Sequence, residues 1–170
     1  MDNHTYIALL TISNLVAVLQ VIAARKWPAI AIWSFFLLFI VAGFANWSNS
    51  QHNPQSYMEF ADLAWCHAYR VFISGWFAGH IKLVVGLIAV CQVMIGISML
   101  LSGRLFAAGC IGAIIFLVAI LPLGMGSGFP CPGIMAAAVF ILLLKQRNVS
   151  LFDGLQVSNR RPSDQAHRIS

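Results

Sequence analysis

The stretch "GHIKLVVGLIAVCQVMIGISMLLSGRLFAAGCIGAIIFLVAILPLG", residues 79–124, decides the fold class. It holds two apolar runs, 81–101 and 105–123, separated by Ser102-Gly103-Arg104. Each run is close to the roughly 20 residues that a helix needs to cross a bilayer core. Neither alternates apolar with polar positions, as a half-buried strand would, and the short polar turn between them predicts an antiparallel helical hairpin.

Working outward, similar runs appear on both sides. Residues 6–24 form one, closed by Arg25-Lys26, and 28–45 form a second, with Pro28 at a position that helix starts tolerate. A last run covers 129–145. Its strictly apolar part, from Pro132, is about 13 residues, or ~20 Å at about 1.5 Å per residue, so it spans only if counted from Phe129. Residues 1–145 therefore read as a single membrane domain of about five spans. Residues 146–170 read as a polar tail containing Pro162, partly disordered toward its end. The first run lacks a basic leader and a small-x-small cleavage site, and is read as retained.

Composition agrees. Of 170 residues, 60% are hydrophobic and only 9% charged, and the mean hydropathy is +0.85. A soluble domain carries about a quarter charged residues. The formal net charge of +5 does not point to nucleic acid, because the basic residues flank apolar runs instead of interleaving with a binding motif. Placing Arg25-Lys26 in the cytoplasm puts eight of the ten Lys and Arg residues there, leaving only Arg70 and Lys82 outside. The expected topology is N-terminus outside and C-terminus cytoplasmic, in a bacterial inner membrane.

Residues 56–80, "SYMEFADLAWCHAYRVFISGWFAGH", are more polar. Glu59, Asp62, Cys66 and Arg70 recur at three- and four-residue spacing, which predicts one face of an amphipathic helix on the outer membrane surface. Trp65, Tyr69 and Trp76 suit the interface. Glu59, Asp62, His67, Arg70 and His80 are candidate ligand-binding residues: a carboxylate–histidine set shuttles protons or binds ions. However, His67 lies five residues beyond Asp62, about 140° round a helix, and no metal-binding spacing occurs. Headgroup-facing charges are the simpler reading.

Cys66 and Cys131 are the candidate catalytic thiols, both on the outer side. They would pair as a structural disulfide, exchange electrons with a quinone, or remain two unpaired small residues at helix ends. No vicinal pair lowers either pKa. Cys91 and Cys110 lie within spans at different depths and read as packing residues. Asn14, Gln20 and Gln92 also lie within spans and are expected to face other helices, with a quinone-carbonyl contact as the sharper alternative for Gln92. No charged residue or histidine lies deep in a span, which argues against a proton-driven carrier. The loop "GMGSGFPCPG", 124–133, has no lysine and follows a helix, so it reads as a tight outer turn and not a phosphate loop.

Three stretches together resemble the DoxX-like superfamily of small four-helix membrane proteins: "FIVAGFANW" at 39–47, "NPQSYMEFADLAW" at 53–65, and the hairpin at 79–124. The parallels are an Ala-Gly near the end of the first family helix, an N-P-x-x-Y after it, and a glycine-punctuated helix with a short basic turn. The resemblance covers roughly residues 33–144 and makes 6–24 an added span. It implies an all-α, polytopic protein with a four-helix core plus the outer amphipathic helix. Some relatives are subunits of thiosulfate:quinone oxidoreductase and others associate with redox-stress enzymes. Gln92 stands where family helices often carry a carboxylate, which removes a titratable group. The expected function is an accessory subunit of a redox or electron-transfer assembly. The alternatives are a small quinone- or thiol-linked oxidoreductase and, more weakly, a small-molecule or lipid transporter. Expected partners are the lipid bilayer and a larger membrane complex or a homo-oligomer. No cofactor is evident beyond quinone, and no metal is expected.

Overall fold

A computed structural model describes the backbone of residues 3–158 and the side chains of residues 7–8 and 10–145. It is all-helical, with no strand among the described residues. Five long helices are α1 (Asn3–Lys26), α2 (Pro28–His52), α5 (Ile81–Met99), α6 (Gly103–Ile120) and α7 (Cys131–Ser158). Two short ones, α3 (Glu59–Leu63) and α4 (His67–Ser74), lie between α2 and α5 with 3-10 turns on either side.

The long helices alternate in direction, so their ends fall into two sets. Arg25, Lys26, Arg104 and Lys145 share the basic end, where the Lys145 amine donates to the Arg25 carbonyl. The segment 53–80 and the α6–α7 connection share the opposite, aromatic end. α2 packs against α5, α5 against α6, α6 against α7, and α7 against α1, which also touches α2.

Each helix buries a stripe at helical spacing. In α2 it is Ala31, Phe35, Phe39 and Gly43; in α5 it includes Val85, Ala89, Gln92, Gly96 and Met99. The opposite faces are apolar too: Leu37, Val41 and Phe44 on α2 and Leu83, Leu87 and Met94 on α5 are each more than half exposed. A helix that is apolar all round belongs in lipid. Three described helical stretches, Pro28–His52, Ile81–Met99 and Gly103–Ser127, are long and apolar enough to cross a membrane, while the apolar Cys131–Lys145 is shorter. The chain thus fits a membrane protein.

Small residues set the helix spacing. A Cβ added at Gly43 of α2 would lie 3.0 Å from the Ala89 carbonyl oxygen on α5, and one at Gly109 of α6 would lie 2.8 Å from Ser98 Cβ on α5. This is small-residue packing of the kind that membrane interfaces use.

Several boundaries differ from the sequence expectations. α2 continues past 45 to His52, because nothing breaks it until Asn53-Pro54: a residue before proline avoids helical geometry, and Asn53 sits at φ −141°. α6 stops at Ile120, ahead of Pro122, and the chain tightens into a 3-10 turn. α7 runs on to Ser158, into the expected tail; the disorder expected at the tail's end concerns 159–170, outside the described residues.

The single amphipathic helix expected over 56–80 does not form. Ala64 and Cys66 are extended, with ψ of 129° and 120°, and Gly75 (φ −100°, ψ −110°) makes a second break. Glu59 and Asp62 on α3 therefore do not share a helical face with Cys66 and Arg70. The physical reason lies in what the extended residues reach, described next.

Candidate functional site

The polar chemistry of the described chain concentrates at the aromatic end. α6 ends there, and the last carbonyls of a helix have no donors within it. Trp65 Nε1 donates to the Leu121 carbonyl at 3.0 Å, and the Tyr69 hydroxyl donates to the Ala119 carbonyl at 2.7 Å. The break at 64–66 is what presents Trp65 to α6, and the freed Ala64 carbonyl accepts from Arg70 Nε at 2.6 Å. Trp65 also meets the Phe129 ring edge-on at 4.7 Å.

The loop beneath is shaped to receive this segment. Gly124, at φ +61°, lies so near α3 that an added Cβ would come 2.8 Å from the Leu63 carbonyl oxygen. Both the left-handed backbone and the close approach require glycine here. The glycines of "GMGSGFPCPG" thus seat a helix against a tight turn.

A second polar group joins α2, α5 and the turn after α2. Asn46 Nδ2 donates to Gln92 Oε1 at 2.8 Å, and the Tyr57 hydroxyl donates to Asn46 Oδ1 at 3.0 Å. Gln92 is only 2% exposed, and Tyr57 packs with Ala61, Ile73, Phe77, Ile81 and Val85. Burial pushes the Tyr57 phenol above its usual pKa of 10.0, so it stays a donor throughout the physiological range.

A third group lies where α1 meets the α6–α7 loop. Asn14 Nδ2 donates to the Leu10 carbonyl at 2.8 Å and approaches the Gly128 carbonyl at 3.5 Å, while its Oδ1 is buried without a partner. Cys131, the first residue of α7, is 7% exposed and belongs to the main buried core, while Ser13 Oγ on α1 donates to the Leu10 carbonyl at 2.9 Å. Further along α1, Gln20 Nε2 donates to Ser34 Oγ on α2, and Gln20 Oε1 is likewise without a partner.

The sequence-derived candidates are distributed as follows. All four cysteines are free, so the disulfide weighed between Cys66 and Cys131 is not formed. Cys131 turns into the core toward α1, whereas Cys66 is half-buried on the surface segment, where its carbonyl accepts the first amides of α4. Glu59, Asp62, His67, Arg70 and His80 are all exposed. His80 stacks on Trp76, ring centroids 4.3 Å apart and 13° from parallel, and its Nδ1 lies 2.8 Å from the Trp76 carbonyl. Among the described residues, no three His, Cys, Asp or Glu side chains converge to hold a metal. Asn14, Gln20 and Gln92 each turn to a neighbouring element.

Sequence reasoning missed the roles of Asn46 and Tyr57. Asn46 falls just beyond the apolar run 28–45 that marks the second span, yet it lies within α2. The available signal was the absence of any helix breaker between 45 and 53. Trp65 and Tyr69 were read as interfacial aromatics, without the helix-end carbonyls that they reach.

No family model, curated protein or solved structure matches this chain.

Proposed function

We propose that this chain is a DoxX-like integral membrane protein of about five spans that serves as an accessory subunit of a redox or electron-transfer assembly. In this reading α1 and α7 also cross the bilayer, the basic end faces the cytoplasm, and the N-terminus lies outside. The observation that carries it is how polar groups are used. The buried amides bind one another and the backbone: Asn46 with Gln92 and Tyr57, and Gln20 with Ser34. Meanwhile the outward helix faces carry large apolar side chains. Polar groups so arranged fix helix positions, and the apolar faces suit packing against lipid and neighbouring subunits. The motifs quoted above connect this architecture to redox complexes by resemblance.

The test is purification in mild detergent from native membranes. Co-elution with other membrane subunits that carry a bound redox group, haem, flavin or quinone, is the expected result. A monomer without partner or cofactor overturns the proposal.

A second reading is a small thiol- or quinone-linked oxidoreductase that uses Cys66, on the segment between α2 and α5, and Cys131, at the start of α7. It predicts that Cys131→Ser abolishes redox-linked activity, and unchanged activity removes it.

A further inference from the structure

Between α2, the end of α5 and the start of α6, a shallow apolar cavity of about 380 Å³ opens near the basic end. Its floor is Met99 and Phe106, each 1% exposed, and its wall includes Trp33 and Leu101, 56% and 44% exposed. Ala29 and Ile32 complete the α2 side. Ala29 and Trp33 are four residues apart, about 6 Å along the axis, so the groove reaches from the helix start into the first turns. Its apolar lining suits a segment of hydrocarbon chain.

Two exposed basic residues lie close to the lining residues along the chain. Arg104 is exposed and lies two residues before Phe106, so their Cα atoms are at most about 7 Å apart. Lys26 lies three residues before Ala29. Glu59 and Asp62 both lie at the opposite end. An apolar slot with exposed basic residues close by along the chain matches a molecule with an acyl chain and an anionic head.

We infer that this groove binds one anionic phospholipid, its acyl chain against Met99 and Phe106 and its phosphate beside Arg104 and Lys26. The inference rests on membrane insertion and not on the accessory-subunit reading, so either can fail without the other. It places the occupant at the level where basic residues between membrane helices hold acidic headgroups.

The test uses the purified full-length chain in phosphatidylcholine vesicles containing a minor fraction of phosphatidylglycerol with brominated acyl chains. Tryptophan quenching is read against a Trp33→Phe variant to isolate the Trp33 signal. Brominated phosphatidylglycerol is expected to quench Trp33 at lower mole fraction than brominated phosphatidylcholine. Arg104→Gln should reduce that preference about fivefold, the effect of one basic residue near a membrane surface. Ala29→Phe, at an exposed position, should fill the slot and remove the Trp33 component for both lipids. Equal quenching by the two lipids overturns the proposal, as does an unchanged preference in Arg104→Gln. Unchanged Trp33 quenching in Ala29→Phe also overturns it, as does reversal of the effect by millimolar inorganic phosphate, which would mark a free-anion site.

Discussion

Replacing Gly109 by alanine tests how α5 and α6 are held together. A Cβ at Gly109 would sit 2.8 Å from Ser98 Cβ, 3.2 Å from the Ser98 carbonyl carbon and 3.3 Å from the Met99 nitrogen. Carbon atoms pack best at about 3.5–4.0 Å, so the closest of these contacts is short by roughly 0.7–1.2 Å. No rotamer relieves it, because Ser98 Cβ is fixed by its backbone; α6 must move away from α5. Overpacking of this kind costs about 1–3 kcal/mol, while alanine returns up to about 1 kcal/mol of helix propensity. With the full offset the net expectation is a loss of up to about 2 kcal/mol. Gly86 on α5 is the matched control. There the added Cβ meets only the Trp47 ring, at 3.5 and 3.8 Å, which is ordinary contact, so Gly86→Ala should be neutral or stabilising by up to about 1 kcal/mol. Equilibrium unfolding in mixed detergent micelles reads both variants. Should Gly109→Ala prove as stable as Gly86→Ala, the close α5–α6 approach is wrong.

Tyr69→Phe removes the donor to the Ala119 carbonyl and should cost about 0.5–1.5 kcal/mol in the same unfolding assay; no loss would show that water serves that carbonyl equally well. Gln92→Leu leaves Asn46 Nδ2 without its acceptor and should destabilise by about 0.6–2 kcal/mol, and an unchanged midpoint would refute the α2–α5 bond. Tyr57, its pKa raised by burial, should be slow to ionise in an alkaline absorbance titration. Since the folded state then holds its proton more tightly, the Tyr57 contribution to stability is complete below pH 10 and is lost as pH rises through the folded pKa. Tyr57→Phe should remove that alkaline slope, and an unaltered slope would refute the assignment.

The long helices could be read from the sequence because lipid requires continuous apolar runs, and those runs are strong signals. The segment 53–80 could not. Its three- and four-residue spacing favours one helix, yet the carbonyls at the end of α6 need donors, and Trp65 reaches Leu121 only where the chain is extended. That demand is set by a helix more than 50 residues away in sequence and leaves no local mark. Asn46 shows the opposite error: its polarity suggested a loop, although only Asn53-Pro54 has the stereochemistry to end α2. Gln92 was expected to face another helix, but its partner depended on where α2 ended. The candidate thiols illustrate a further limit, since being on one side of a membrane does not bring two side chains together when one of them, Cys131, faces the core.

The accessory-subunit account is tested most directly in native membranes with and without the chain. Mild-detergent extracts separated by native electrophoresis and stained for redox activity give the readout. The account predicts a redox-active assembly that contains the chain and that loses mass or activity when the chain is deleted. An unchanged pattern of assemblies, with the chain migrating alone, would contradict it.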